Sequence, residues 1–334
     1  MQYREVGNTG VHISEIGFGT GGNAGLMVKG SPKDQLKAIE CAIELGINYF
    51  DAAPDYGSGV SETNLGKALR ELGVRPIITT KVEVREANLG DIASHVERSV
   101  EASLERLGVD YVDFVQIHNG PVGTRPNLEG RDYRILWIED FLGRNGALEG
   151  LERIRRAGKT RFVGFCCRGD DGGPVRQLID TGQFHIMNVV YHLLNPTAAM
   201  PRPRGMDVAP DFGEVIPYGH EHGVGAALYS PLAGGLLTDN IAGGGEPHPL
   251  AAAERREQRM AQVGRASAFR FLSKGSGQSL AQAALRFDLM EPGVTTVLGG
   301  FSEAQQVEEN AAASGAGPLT AEEMARVEMV WRAS

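Results

Sequence analysis

The sequence predicts an α/β fold: a (β/α)8 TIM barrel with an N-terminal β-hairpin and long loops over its C-terminal face. Three observations lead there. Short apolar runs alternate with amphipathic stretches along most of the chain, which implies a parallel sheet wrapped by helices. The runs are almost continuously apolar, as strands buried on both faces must be. Three successive runs also end in a polar group: Tyr49-Phe50 in Asp51, Ile77-Ile78-Thr79-Thr80 in Lys81, and Val115-Gln116-Ile117 in His118. In such barrels the strand exits are where chemistry is placed.

The elements follow in order. Short strands around Tyr3–Val6 and Val11–Ser14 flank Gly7-Asn8-Thr9-Gly10, a hairpin pattern. Ile16–Gly19 is the first barrel strand. Ser31-Pro32 is a cap and first-turn pair for a helix over Lys33–Glu44. The second strand, Asn48–Asp51, leads to a helix over Ser61–Leu72. The third, Ile77–Lys81, precedes a helix over Asp91–Leu107. The fourth is Tyr111–His118, and a helix over Gly146–Ala157 precedes the fifth, Thr160–Phe165. Ile186–Tyr191, Gly225–Tyr229 and Thr296–Gly299 complete the eight, and a helix over Thr320–Arg332 follows. Three connections are too long to be simple links: Asn119–Asn145, Asn195–Pro210 and Thr238–Leu250. Long loops in a compact domain are usually functional or disordered. All three follow strand exits. The first two, with Arg125, Arg131, Tyr133, Arg134 and Trp137 in the first, are expected to wall a substrate site and the third to act as a cofactor flap.

Composition sets outer bounds. The 334 residues exceed a typical domain, but barrels of this size run as one, so residues 1–334 are expected to form a single barrel domain. Hydrophobic content of 42% and charged content of 22% are ordinary for a globular chain. A net charge of -9 argues against a nucleic-acid partner, which needs clustered Lys and Arg. No apolar run approaches the ~18 residues of a membrane span. The first residues, Met1-Gln2-Tyr3-Arg4-Glu5, lack the basic-then-apolar pattern of a leader. Three cysteines make no disulfide framework. Together these point to a cytoplasmic protein with a small-molecule substrate and no membrane partner, its oligomeric state open. Cys166-Cys167 has no second pair or ligand cluster beside it, so no metal is expected.

Asp51, Lys81 and His118, with Tyr56 on the Pro54/Gly57 turn, resemble the catalytic tetrad of the aldo-keto reductases. The resemblance extends to Gly17-Phe18-Gly19-Thr20, Leu228-Tyr229-Ser230-Pro231-Leu232 and Val307-Glu308-Glu309-Asn310, and covers nearly the whole chain. Gly46-Ile47-Asn48-Tyr49-Phe50-Asp51 and Val297-Leu298-Gly299-Gly300-Phe301-Ser302 are most similar to the L-galactose/L-fucose (D-threo-aldose) dehydrogenase subgroup. The resemblance implies a hairpin that plugs the barrel floor and an NAD(P)-dependent aldo-keto reductase or aldose dehydrogenase.

The chemistry of the four residues is consistent with that. No side chain gives hydride, so a nicotinamide must. A free tyrosine, with pKa near 10, is a poor acid or base at neutral pH, and an adjacent ammonium favours its phenolate. Tyr56 is therefore assigned as acid/base, Lys81 as its modulator, Asp51 as the anchor of Lys81, and His118 as a donor that orients the carbonyl oxygen.

A Rossmann G-x-G-x-x-G after the first strand is absent. Barrels instead hold phosphate after strands seven and eight. Ser230-Pro231-Leu232-Ala233-Gly234-Gly235 offers a hydroxyl and amides there, and Gly299-Gly300-Phe301-Ser302 opens a helix whose N-terminus favours an anion. By resemblance, Tyr229 stacks on the nicotinamide, Gln306, Glu309 and Asn310 surround the adenosine, and Gly19, Thr20, Asp51, Asn119, Cys166 and Asn188 also line the cofactor. Two departures stand out. Cys166-Cys167 and Asn188 replace the Ser-Asn and Gln that hold the carboxamide in many members. No basic residue occurs from Gly299 to Asn310, while Glu303, Glu308 and Glu309 do, which leans toward NAD over NADP unless Arg255 or Arg265 reaches in. The substrate is expected to contact Tyr56, His118, Trp137 and His192, and to be an L-galactose- or L-fucose-like aldose. The other readings are a broad aldehyde/ketone reductase for a bulky carbonyl and a redox-sensing subunit with little turnover.

Overall fold

The computed structural model describes residues 1–126, 134–169, 172–251 and 256–333. Arg131, Tyr133 and Arg255 lie outside them. The chain opens with β1 (Tyr3–Glu5) and β2 (His12–Ser14), an antiparallel hairpin with Tyr3 opposite Ser14. Then come β3 (Ile16–Gly19), β4 (Tyr49–Asp51), β5 (Ile77–Val82) and β6 (Val112–Ile117). A small parallel pair, β7 (Gly120–Val122) and β8 (Ile135–Trp137), follows in the first long connection. Next are β9 (Thr160–Cys166), β10 (Ile186–Val189), β11 (Gly225–Leu228) and β12 (Val294–Gly300). The eight longer-range strands close a parallel barrel in sequence order, sealed where Val297 of β12 pairs with Ile16 of β3. The expected (β/α)8 TIM barrel is therefore the observed fold.

Strand alternation sorts side chains into two cores. Tyr49, Phe114, Ile186, Ala227 and Leu298 fill the barrel interior together with Val6, Val11 and Ile13 of the hairpin. The hairpin thus plugs the floor with its own apolar face. Phe50, Ile78, Val115, Ile117, Phe165 and Cys167 belong to the outer core under the helices. Inward parity therefore continues from Tyr49 to Asp51, from Thr79 to Lys81, and from Phe114 through Gln116 toward His118. This places the polar strand ends inside the mouth.

The helices start where local chemistry says. Pro32–Glu44 begins after Ser31, whose side chain accepts from the Asp34 amide. Ile92–Leu107 is capped in the same way by Asp91, and Ala321–Arg332 by a Thr320/Glu323 capping box. Val60–Leu72 begins one residue before the expected helix, and Ala147–Arg156 is one residue shorter than expected at each end. The structure adds helices Gly172–Asp180, Val215–Glu221, Arg256–Ser267 and Leu280–Leu289, which the sequence reading did not name. Thr238–Leu250 is not a bare flap: Thr238 caps a short helix, Asp239–Ala242. No helix among the described residues is long and apolar enough to cross a membrane.

Candidate active site

The barrel mouth gathers Asp51, Lys81 and Asn188 from three strands. Lys81 Nζ donates to Asp51 Oδ1 at 2.5 Å and to the Ala52 carbonyl at 2.9 Å. Asn188 Nδ2 donates to the other carboxylate oxygen, Asp51 Oδ2, at 3.0 Å. Lys81 is 1% exposed and Asp51 3%. Burial works against the ammonium, but the Asp51 charge outweighs it and holds the Lys81 pKa above its ordinary value, so Lys81 stays charged. Around them the frame is pinned from behind. The Thr20 amide and hydroxyl both donate to the Asp51 carbonyl, and Ser61 Oγ donates to the Thr20 carbonyl. Buried Glu62 takes Thr80 Oγ1 at 2.5 Å and Arg106 Nε at 2.6 Å, fixing the residue before Lys81.

Tyr56 overhangs this pair. The Lys81 ammonium is 5.3 Å from its ring centroid, and the ring meets His118 edge-on at 5.7 Å. Here the structure differs from expectation. Burial raises the Tyr56 pKa and prevails; Lys81 is the largest opposing influence but does not bring it below the free value. The phenol therefore holds its proton at neutral pH.

His118 differs as well. Arg168 Nη2 meets His118 Nε2 at 2.5 Å. A guanidinium can only donate, so Nε2 is the acceptor and the ring proton sits on Nδ1. That atom lies 3.0 Å from Asp55 Oδ1 and 3.9 Å from Glu83 Oε2. Burial pushes the His118 pKa down to about 4, with the Arg168 charge acting in the same direction, so the ring is neutral near pH 7. Burial also works against an ionised Asp55, but His118 and Arg168 outweigh it and keep its carboxyl well below the usual range. Burial and the Asp55 charge push Glu83 up to about 7. Asp55, Glu83 and His118 have ligand atoms within 4.8 Å of one another, a spacing a cation could use. The Arg168 contact places a proton on the ring nitrogen such a cation would need.

Other expected residues fall as follows. Asn119 is engaged at both ends of its amide: Nδ2 donates to the Val84 carbonyl at 2.9 Å and Oδ1 accepts from the Val84 amide at 2.8 Å. It braces the segment just past β5 rather than offering a free polar group. His192 Nδ1 accepts from the Leu194 and Asn195 amides, so this ring closes a turn. Burial pushes its pKa down to about 4, with Arg265 adding to the effect. Trp137 lies on β8; its Nε1 donates to the Gly123 carbonyl at 3.3 Å and Arg125 covers its ring at 4.4 Å. Cys166 and Cys167 are buried and free. Burial pushes the Cys166 thiol up to about 11, so it is a neutral wall. Tyr229 donates to the Cys167 carbonyl at 3.1 Å, fixing its ring at the mouth.

The segment of residues 20–25 runs between Tyr56 and the end of β12. A Cβ on Gly21 would stand 3.7 Å from the Tyr56 ring, and Ser302 Oγ donates to the Ala24 carbonyl at 2.6 Å. The 20–25 segment thus touches Tyr56 at one end and Ser302 at the other. Gly19 must be glycine because a Cβ there would meet the Gly299 carbonyl at 2.8 Å. After β11 the backbone turns sharply, with positive φ at Ser230, Ala233, Gly234 and Gly235. Pro231 and Leu232 lie within that turn. At the end of β12, Gly300 is exposed, and the helix Ala304–Ala311 follows Glu303, which makes no side-chain cap. Gln306 Oε1 accepts from the Ser302 amide at 2.8 Å, while Asn310 is buried against Gly299. Glu309, on the same helix, is half-buried.

Residues 15–332 match the model of the Aldo/keto reductase family. The chain belongs to that family. This aldo/keto reductase is 29% identical to L-galactose dehydrogenase of Arabidopsis thaliana over 94% of its own length and 88% of that protein's. It is 25% identical to the NADH-specific methylglyoxal reductase of Escherichia coli, over 94% and 93% of the two chains. It also superimposes on the aldo-keto reductase AKR11C1 from Bacillus halodurans in its holo form, with a TM-score of 0.72, 25% identity, and 100% and 97% coverage. The reductase is accordingly an oxidoreductase on a TIM barrel.

Asp55, Glu83 and Arg168 are site residues the sequence reading missed. Two signals could have found them. Asp55 lies within the same turn as Tyr56, and Glu83 sits two positions past Lys81. Arg168 shares the inward parity of Phe162, Gly164 and Cys166.

Proposed function

We propose that this aldo/keto reductase is an NAD(P)-dependent enzyme interconverting a sugar-like alcohol and its carbonyl, with an L-galactose/L-fucose-like aldose as the substrate class and NAD as the preferred nucleotide. The observation that carries the reading is the buried Lys81–Asp51 pair set under the Tyr56 ring. Such a pair keeps a full positive charge where a phenol must release its proton. Tyr56 is the acid in reduction and the base in oxidation. Lys81 stabilises the phenolate as it forms, and Asp51, held by Asn188 and Thr20, keeps Lys81 aimed.

The residues present suit a nicotinamide dinucleotide. Asn188 Oδ1 is buried with no hydrogen-bond partner, and an orphaned acceptor of this kind calls for a donor such as a carboxamide N–H. When bound, the nicotinamide supplies or takes the hydride. Tyr229 would back its ring. The turn from Ser230 to Gly235 and the helix start after Ser302 would hold its phosphates. Glu303 and Glu308 are exposed beside that helix start, with no basic residue between Gly299 and Asn310. A 2′-phosphate is best held by Arg or Lys, so this surface favours NAD. The L-galactose dehydrogenase relative supports the sugar class.

A second reading, a carbonyl reductase at neutral pH, is favoured by one observation: Tyr56 holds its proton. Initial rates with NAD(H) and NADP(H) over a panel of aldoses and carbonyls, for the wild type and Tyr56→Phe, test both. The wild type is expected to turn over a hydroxylated substrate, and Tyr56→Phe to lose about 10²–10⁴-fold while still binding nucleotide. A Tyr56→Phe rate within a few-fold of wild type would overturn the acid/base assignment.

A further inference from the structure

We infer that the first turn of the helix Val60–Leu72 is the positioning element of the site: Ser61 and Glu62 hold Tyr56, Asp51 and Lys81 at fixed separation, and Glu62 acts on the reaction through Thr80 and Lys81; this rests on the functional reading above. The need for such an element comes from the strand ladder. β4 has three residues, and its pairing with β5 ends at Asp51 opposite Thr79. Among the described residues, the backbones of Thr80, Lys81 and Val82 run on past that end and pair with β6 alone, opposite Val115, Gln116 and Ile117. The Lys81–Asp51 ion pair thus spans the side where the ladder has run out.

The helix turn replaces the missing ladder. Ser61 is fully buried, and its amide donates to the Tyr56 carbonyl at 3.2 Å. Its hydroxyl donates to the Thr20 carbonyl at 2.9 Å, and the Thr20 amide and hydroxyl donate onward to the Asp51 carbonyl at 2.9 and 3.0 Å. The next residue, Glu62, is also fully buried and accepts from Thr80 Oγ1 at 2.5 Å. Two consecutive residues therefore tie together the Tyr56 turn, the end of β4 and the overhang of β5. Glu62 is itself held. Its second oxygen takes Arg106 Nε at 2.6 Å. The Arg106 stem crosses Gly59, where φ is 90° and a Cβ would lie 2.6 Å from Arg106 Cδ, so glycine is needed on both counts. The carboxylate also lies in the first helical turn, where the helix dipole favours it. Ser61, Glu62 and Thr80 are positioning residues. Misplacing a reacting group by about 1 Å can cost 10²-fold in rate. Losing one tie while the β6 ladder stays intact should cost less, about tenfold.

The test measures L-galactose oxidation and glyceraldehyde reduction with both nucleotides. It uses the wild type, Ser61→Ala, Thr80→Val, Thr80→Ser, Tyr56→Phe, Lys81→Met and the double variant Lys81→Met/Thr80→Val. Nucleotide binding is followed by NADH fluorescence and folding by thermal melts. Thr80→Val keeps the β-branched shape and removes only the hydroxyl, so it carries the test if Ser61→Ala does not fold. The expected result for Thr80→Val is a kcat lower by about tenfold with KM and nucleotide binding within about twofold, the mark of an interaction felt in the transition state. Thr80→Ser, which restores the hydroxyl, should recover most of the rate. Thr80→Val should lower the residual rate of Lys81→Met by less than about twofold, because its effect runs through Lys81. A folded, nucleotide-binding Thr80→Val with kcat within about twofold of wild type overturns the inference alone, provided Tyr56→Phe is inactive. So does a Thr80→Val loss that multiplies in full onto Lys81→Met, which would make the tie a structural one. If the wild type turns over neither compound with either nucleotide, the functional reading falls and this inference with it.

Discussion

At the scale of single residues, the site is a balance between burial and neighbouring charge. Lys81 is the largest influence lowering the Tyr56 pKa, and burial the influence that overcomes it. Removing the cation should therefore push the phenol higher still. In Lys81→Met, residual oxidation, which needs phenolate, should move its alkaline limb upward, while reduction, which needs phenol, should be depressed with little change in its neutral-pH profile. Profiles of kcat/KM in both directions check this; an unmoved oxidation limb would leave Lys81 a purely structural cation. Leaving Asp51 buried without its partner should also cost about 3–5 kcal/mol of stability, visible in a urea melt. The residues at the strand ends were legible because inward parity and strand exit are both written in the sequence. Arg168, Asp55 and Glu83 were not. They lie past the strand ends, and their partners come from other loops, so parity alone does not show what they meet.

At the scale of elements, helix caps were legible and short pairings were not. Ser31, Asp91 and Thr320 each announce a helix through their own side-chain chemistry. β7 and β8 have three residues each and pair across fifteen positions of chain, too little sequence for a periodic signal. Two helices carry predictions. Ala304–Ala311 begins beside Glu303 with no basic residue in reach along Gly299–Asn310. Gln306→Arg adds one there, and should shift the kcat/KM ratio toward NADP(H) by about tenfold, or roughly 1.4 kcal/mol. A wild type already preferring NADPH by that factor would locate the 2′-phosphate site elsewhere. Leu280–Leu289 buries Asp288 completely, with neither oxygen hydrogen-bonded. Burial raises its pKa well above 3.8, so its contribution to stability is full below that value and is lost as pH rises through the raised one. Asp288→Asn removes the titration. Its thermal melt should match wild type near pH 4 and lie higher at neutral and alkaline pH; equal pH dependence in both would mean Asp288 is not held neutral.

At the scale of the whole molecule, the barrel floor is closed by the hairpin that the sequence pattern gives as a turn between two short strands and that the family resemblance places at the floor. The apolar face that plugs the floor, Val6, Val11 and Ile13, became visible only once the barrel's inner core was assembled around it. Its polar side is tied as well. Arg4 donates to the Leu289 carbonyl at 2.7 Å, the Val294 carbonyl at 2.8 Å and Glu15 at 2.8 Å, binding the plug to the start of β12. Arg4→Met leaves those acceptors unmatched and should cost about 1–3 kcal/mol in denaturant unfolding, with kcat unchanged because the mouth is at the other end of the strands. A loss confined to activity would contradict that placement.

The chain's two tryptophans fall in different surroundings. Trp331 is 3% exposed, edge-on to Phe287, and its N–H donates to the Leu193 carbonyl at 2.7 Å, which ties the last helix to the loop beyond β10. Trp137 sits half-buried under Arg125 on the other loop system. The molecule therefore carries a pair of intrinsic optical reporters, one shielded and one within reach of a soluble quencher. Their emission separates events in the loop after β6 from undocking of the C-terminal helix without any added label.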